Sequence, residues 1–150
     1  MNSSGPGYAD RQELSALQKV LYRRILRQLT APGAIVRIIG QSGHGKSLLA
    51  AQLIRENEAF DIVNIIRPNL GRKAFLISAC TQLGIEWESD DQLTTTLSAR
   101  LKRHIESTAL LGRNTLLVID NAEKLGLSVL AVLLSLLNIT VAAKRPIRVL

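Results

Sequence analysis

The chain has 150 residues, of which 47% are hydrophobic, 21% charged and 3% aromatic, and its formal net charge is +7. That length is one ordinary domain, able to bury a core without disulfide or metal staples, and the composition excludes an intrinsically disordered chain. The single cysteine, Cys80, excludes an internal disulfide, and no Cys or His partner stands at metal-ligand spacing, so a reducing, cytoplasmic setting is expected. The positive charge suits an acidic partner such as a nucleotide, nucleic acid or an anionic membrane face; scattered solvated charge explains it equally well.

Residues 1–9 read as a polar, flexible leader without the apolar segment of a secretion signal, and the folded domain is expected over 10–150. Asp10 is placed to cap a helix running to about Leu29, in which Leu14, Leu17, Leu21, Ile25 and Leu29 recur every three to four residues with Lys19, Arg23, Arg24 and Arg27 between them. Pro32 and Gly33 break this basic, amphipathic helix, and the β-branched run 34–39 predicts a first strand. Residues 46 to about 57 are good helix formers with one apolar face. A second strand is expected over 60–66, stopped by Pro68, and then a helix over 72–83 closed by Gly84.

After an acidic connector at 86–91, Leu93, Leu97, Leu101 and Ile105 mark one face of a further helix that ends near Gly112. The unbroken apolar run 115–119, ending in Asp120, is the signature of a central strand buried on both faces. A Leu-rich helix follows, and 146–150 opens another strand. The apolar stretch 125–143 is interrupted by Gly126, Ser128, Ser135, Asn138 and Thr140, so a buried helix is expected there and not a transmembrane span of about 20 residues. Strands alternating with helices imply an α/β fold, a parallel β-sheet with right-handed crossovers and helices on both faces.

The chemistry concentrates where the first strand meets the next helix. Gly40, Gly45, Lys46 and Ser47 satisfy Gly-x-x-x-x-Gly-Lys-Ser, the phosphate-loop (Walker A) pattern, with Gln41, Ser42, Gly43 and His44 between them. Glycines let the chain curl so that successive N–H groups point inward as an anion nest, and the helix that starts near Gly45 adds its positive dipole end. Lys46 sets a point charge against the β- and γ-phosphates, and the Ser47 hydroxyl is a hard oxygen ligand for Mg²⁺. The nucleotide-binding set therefore runs from Gly40 through Leu48, with ATP and Mg²⁺ as the expected ligands. His44 is expected to contribute its backbone N–H, since the neighbouring lysine and helix dipole disfavour an imidazolium.

Asp120, at the tip of the central strand, has two readings: a helix N-cap, or the carboxylate that pairs with Ser47 around the metal. Asn121 stands where a water-activating glutamate often follows such an aspartate, and an amide orients water without accepting its proton. Glu123, two residues on, is the substitute base within reach of a γ-phosphate, or else a solvated or capping carboxylate. Lys46, Asp120 and Glu123 are thus the candidate catalytic groups.

These residues resemble the AAA-type ATPases of the general-secretion ATPase A (ExeA-like) group, related to pilus-biogenesis and transposition helper ATPases. The likeness covers most of the chain. It rests on the leading helix, the loop 40–47, the element Arg67-Pro68-Asn69-Leu70, a helix ending Gln82-Leu83-Gly84-Ile85, and the run from Gly112 through Asp120-Asn121-Ala122-Glu123 to Leu125. That group usually carries Asp-Glu-Ala-Gln where this chain has Asp-Asn-Ala-Glu, a departure that bears on hydrolysis. The resemblance implies a three-layer αβα P-loop core that stops before the group's sensor, arginine finger and lid. It also implies self-association through the ATPase domain, with nucleotide at subunit interfaces, at the inner face of a bacterial membrane complex or on DNA. The function so implied is ATP-Mg²⁺ binding with slow hydrolysis that drives assembly or conformational change. The alternatives are an ATP-binding module without catalysis, a DNA-binding transposition helper suggested by the basic helix, and a small-molecule P-loop kinase, for which no lid or acceptor motif is present.

Overall fold

The computed structural model describes residues 13–40, 45–67, 69–88 and 94–150. Helix α1 spans Ala16–Leu29 and starts from Ser15, whose hydroxyl accepts the Gln18 N–H while the Gln18 side chain accepts the Ser15 N–H. This reciprocal capping box satisfies two otherwise free donors. Asp10, the cap expected from the sequence, lies outside the described residues. Leu14, Tyr22, Ile25 and Leu29 are buried, whereas Leu17 and Leu21, expected on the same face, are exposed. At 100° per residue the four buried positions cluster on one side of the helix, and 17 and 21 fall on its flank.

Helix α2 (Lys46–Glu56), strand β1 (Phe60–Ile65), α3 (Arg72–Gln82), α4 (Thr94–Leu110), β2 (Asn114–Ile119), a 3-10 turn (Ala122–Lys124), α5 (Leu127–Leu137) and β3 (Ile147–Val149) complete the order. Gly84, at φ +69°, ends α3 as anticipated: its N–H reaches Thr81 O at 3.2 Å and the Ile85 N–H reaches Cys80 O at 2.9 Å. These are the paired bonds of a Schellman cap, which needs a left-handed residue at this point.

The strands are parallel in the order β1-β2-β3, with Phe60 opposite Asn114, Ile65 opposite Ile119 and Thr115 opposite Ile147. Residues 34–39 do not form the full strand expected of them. They make one parallel bridge, Ile35 to Val149, through Val36 N–H to Val149 O (2.8 Å) and Val149 N–H to Ala34 O (3.0 Å). The segment pairs with β3 at this bridge alone, and Ile35 and Ile39 face solvent. Its place beside β3 nonetheless aims the chain at the start of α2.

Central β2 buries Leu116, Leu117 and Val118. Leu116 and Val118 pack with α1 and α2, and Leu117 packs with α3, α4 and α5. Two cores, one on each face of the sheet, make the three-layer α/β architecture expected of the sequence. At the open edge, the Gln82 carboxamide accepts Asn64 N–H at 2.7 Å and donates to Asn64 O at 3.0 Å, covering backbone groups that an edge strand otherwise exposes. Arg148 on β3 is buried and fastens α1 to the sheet, its Nε donating to Leu29 O at 3.1 Å and Nη1 to Pro146 O at 3.1 Å. Desolvation lowers its pKa, and the carbonyl end of α1 compensates the cation.

Two consequences can be measured. Ala142 (φ +50°) and Ala143 (φ +61°) sit left-handed between Val141 and Lys144, which exchange both backbone hydrogen bonds. That is a type I′ turn, in which a Cβ costs roughly 1–2 kcal/mol per residue and Asn-Gly is preferred. Ala142→Asn with Ala143→Gly is therefore expected to raise stability by about 1 kcal/mol in urea unfolding. In the α1/α2 layer, Tyr22 Oη donates to Glu56 Oε2 at 3.0 Å, and burial, reinforced by that carboxylate, pushes the phenol up to about 12 from 10.0. The folded chain holds this proton longer than the unfolded one, so the stabilisation is full below pH 10 and is lost as pH rises through about 12. A spectrophotometric titration is expected to show one of the two tyrosines ionising late, and Tyr22→Phe to remove that step.

Candidate functional site

The segment 34–40 runs off the sheet beside β3, and Gly45 turns the chain into α2. Gly45 has φ +81° and ψ 19°, a left-handed conformation that side chains with a Cβ rarely adopt. Lys46, the first residue of α2, extends its ammonium back across the loop to Gly40 O at 2.5 Å. The backbone N–H groups of the first turn of α2 have no partner within the helix, and they carry its positive dipole end. Leu48 is half-buried against the core beneath α1 and α2, beside buried Leu49 and Leu53, so it anchors the helix on which the loop depends. Gln41, Ser42, Gly43 and His44 lie outside the described residues.

The second half of the site comes from β2. Asp120 follows the strand directly, its N–H bonded to Ile65 O at 3.3 Å, so the ends of β1 and β2 hold its backbone. Its carboxylate accepts the Ser47 hydroxyl at 3.2 Å across 73 residues of sequence. Ser47 and Asp120, both exposed, therefore meet in one place and present hard oxygen atoms to solvent. Such a pair fits a small divalent cation, which prefers oxygen ligands.

Asn121 begins the 3-10 turn in a left-handed conformation, φ 54° and ψ 50°. Asparagine tolerates this backbone better than most residues. Glu123, within that turn, is exposed, and among the described residues its carboxylate makes no hydrogen bond to Lys46, Ser47 or Asp120. The arrangement thus joins Gly40, Gly45, Lys46, Ser47 and Asp120, and leaves Glu123 in solvent. Among the described residues no group of three His, Cys, Asp or Glu side chains forms a metal cluster of its own. A groove of about 590 Å³ lies elsewhere, between α1 and the far end of α2, lined by Lys19, Tyr22, Arg23, Gln52, Arg55 and Glu56. Among the described residues no part of the phosphate loop contributes to it, and its mixed charges do not define an anion site.

One participant escaped the sequence reading. The Gln18 side-chain nitrogen lies against Gly45 so closely that a Cβ on the glycine would overlap it. The signal was present as Ser15-x-x-Gln18, a capping-box spacing that places the start of α1 and fixes this side chain. Gly45→Ala is expected to cost about 2 kcal/mol in urea unfolding, from the left-handed backbone and from the overlap together. In a double-mutant cycle Gln18→Ala should recover part of that loss, because only the overlap is relieved.

No curated protein matches the sequence. The chain is similar in structure to Cdc6p from Pyrobaculum aerophilum, with a TM-score of 0.69 at 16% identity, over 97% of this chain and 41% of that one. The likeness is one of fold, and the chain spans less than half the length of that protein. The AAA domain family model matches residues 30–150, which include the loop, Asp120 and all three strands. The chain therefore belongs to the AAA domain family, and its core is that of a nucleotide-binding P-loop ATPase.

Proposed function

We propose that this chain binds ATP-Mg²⁺ and hydrolyses it slowly, and that the cycle drives assembly or conformational change in a membrane-associated machine of the secretion or pilus type. The observation that carries the reading is the Ser47–Asp120 hydrogen bond at 3.2 Å, which brings the end of the phosphate loop to the tip of the central strand. The loop N–H groups and the first turn of α2 would hold the phosphates, with Lys46 as the point charge against the terminal ones. Ser47 and Asp120 would hold magnesium, which when bound neutralises charge on the phosphate oxygens and fixes their direction. Asn121 would orient the attacking water without taking its proton, and Glu123 would have to move from solvent to do so. Slow turnover follows from that division.

Self-association with nucleotide at a subunit interface, membership of the ExeA-like group and a position at the inner face of a bacterial membrane belong to the same proposal. Among the described residues no helix is long and apolar enough to cross a membrane. A second reading, ATP binding without catalysis, is favoured by Asn121 and by the exposed Glu123. The DNA-helper alternative draws on Lys19, Arg23, Arg24 and Arg27, all exposed, but exposed Leu17 and Val20 interrupt that charge.

Calorimetric titration with ATP and GTP, with and without Mg²⁺, tests the claim. ATP-Mg²⁺ should bind, Lys46→Ala should weaken it ten- to a hundredfold, and Asp120→Asn should abolish the Mg²⁺ dependence while leaving some metal-free affinity. Absence of heat in the wild type, or unchanged affinity in Lys46→Ala, defeats the proposal. Tight binding with no phosphate release selects the non-catalytic reading.

A further inference from the structure

Gln18 is held at both its backbone and its side chain by the capping box of α1. Its side-chain oxygen accepts the Ser15 N–H at 2.8 Å, and its backbone N–H donates to the Ser15 hydroxyl at 3.3 Å. Because a carboxamide is planar, fixing the oxygen fixes the NH₂ group as well. That NH₂ group lies against Gly45, in the space a Cβ would occupy. Helix α1 cannot readily drift away from this contact. Buried Arg148 grips the carbonyl of Leu29 at its far end, and the rings and chains of Tyr22, Ile25 and Leu29 are sunk in the core.

The chemistry of position 18 points the same way. A glutamate completes a capping box as well as a glutamine does, and in the first turn of a helix its negative charge is the more favourable of the two. The needs of α1 therefore do not explain a neutral amide here. What the side chain faces does explain it. An NH₂ group turns its positive edge toward the junction of loop and α2, whereas a carboxylate would set a negative charge beside a site built for anions.

We infer that Gln18 is a positioning residue for the phosphate loop, resting on the ATP-binding reading given above. It wedges against Gly45, sets the turn into α2 and so aims the first-turn N–H groups, and it keeps the approach to the phosphates free of negative charge. Its action runs through Gly45 and through the local field.

The test is the affinity of the whole chain for ATP, ADP and adenosine, by calorimetry in Mg²⁺, for wild type, Gln18→Glu, Gln18→Met and Tyr22→Phe, with thermal unfolding of each. Gln18→Glu keeps the cap, so its melting temperature should match the wild type while ATP affinity falls about tenfold, ADP affinity falls less and adenosine is unaffected. Gln18→Met keeps the length and loses the dipole, and is expected to weaken ATP and ADP by a similar, smaller factor. Tyr22→Phe removes a polar link of α1 remote from the loop and should bind ATP as the wild type does. A merely structural role for Gln18 would move the melting temperature and not the ratio of ATP to ADP affinity. Equal ATP affinity in the wild type and Gln18→Glu overturns the inference; if Gln18→Glu does not fold, equal affinity in Gln18→Met overturns it. Failure of the wild type to bind ATP at all defeats the functional reading instead, and this inference falls with it.

Discussion

Burial of β2 on both faces is the constraint from which the rest of the molecule follows. Leu116 and Val118 face one helical layer and Leu117 the other, and all three are nearly inaccessible to water. Each such side chain contributes roughly 1.5–3 kcal/mol on burial, so Leu116 to Val118 form the apolar centre of the strand, with Thr115 the buried polar side chain at its start. The charge stands just past that centre, at exposed Asp120, within hydrogen-bonding distance of Ser47. The site sits at the strand tip because the interior of the sheet excludes it.

The α1/α2 layer turns that constraint into a shaped loop. Helix α2 is held by Leu49 and Leu53 in the core, which fixes where its N-terminal N–H groups point. Helix α1 is held at its C-terminal end by Arg148, a buried cation whose desolvation is offset by carbonyl acceptors, the dipole end of α1 among them. The opposite end of α1 then has a defined position, and Gln18 meets Gly45 there. A side chain deep in β3 and a turn at the phosphate loop are thus linked through one rigid helix.

Much of this was legible in the residues. The helix that starts at Lys46, the two-sided apolar run of β2 and the glycine closing α3 each carry a physical requirement that few other sequences meet, and each was placed to within a residue or two. What was missed depends on context. The run 34–39 has strand composition, but composition alone does not make a ladder, and this segment pairs with β3 through one bridge. Leu17 and Leu21 fit the helical period, yet a Leu-rich helix has more apolar positions than one face can bury, and tertiary packing chose the face. Gln18 carried a recognisable spacing, but its contact with Gly45 joins residues 27 positions apart and no local pattern reports it. Ser47 and Asp120 could be paired in advance only because the mechanism demands it.

The two amides near this site bear on its character in the same sense. At 121 the backbone is left-handed, a conformation asparagine accepts more readily than glutamate does, so the local fold and the missing base are two sides of one choice. At 18 the capping role would admit glutamate, and glutamine stands there instead. Either carboxylate would add negative charge close to bound phosphates, opposing Lys46 and the dipole of α2. With neutral groups at both positions, Asp120 is the carboxylate that contacts the loop helix, through Ser47. On the ATP-binding proposal, such a balance favours holding a polyanion over activating water against it, which accords with the slow turnover proposed above.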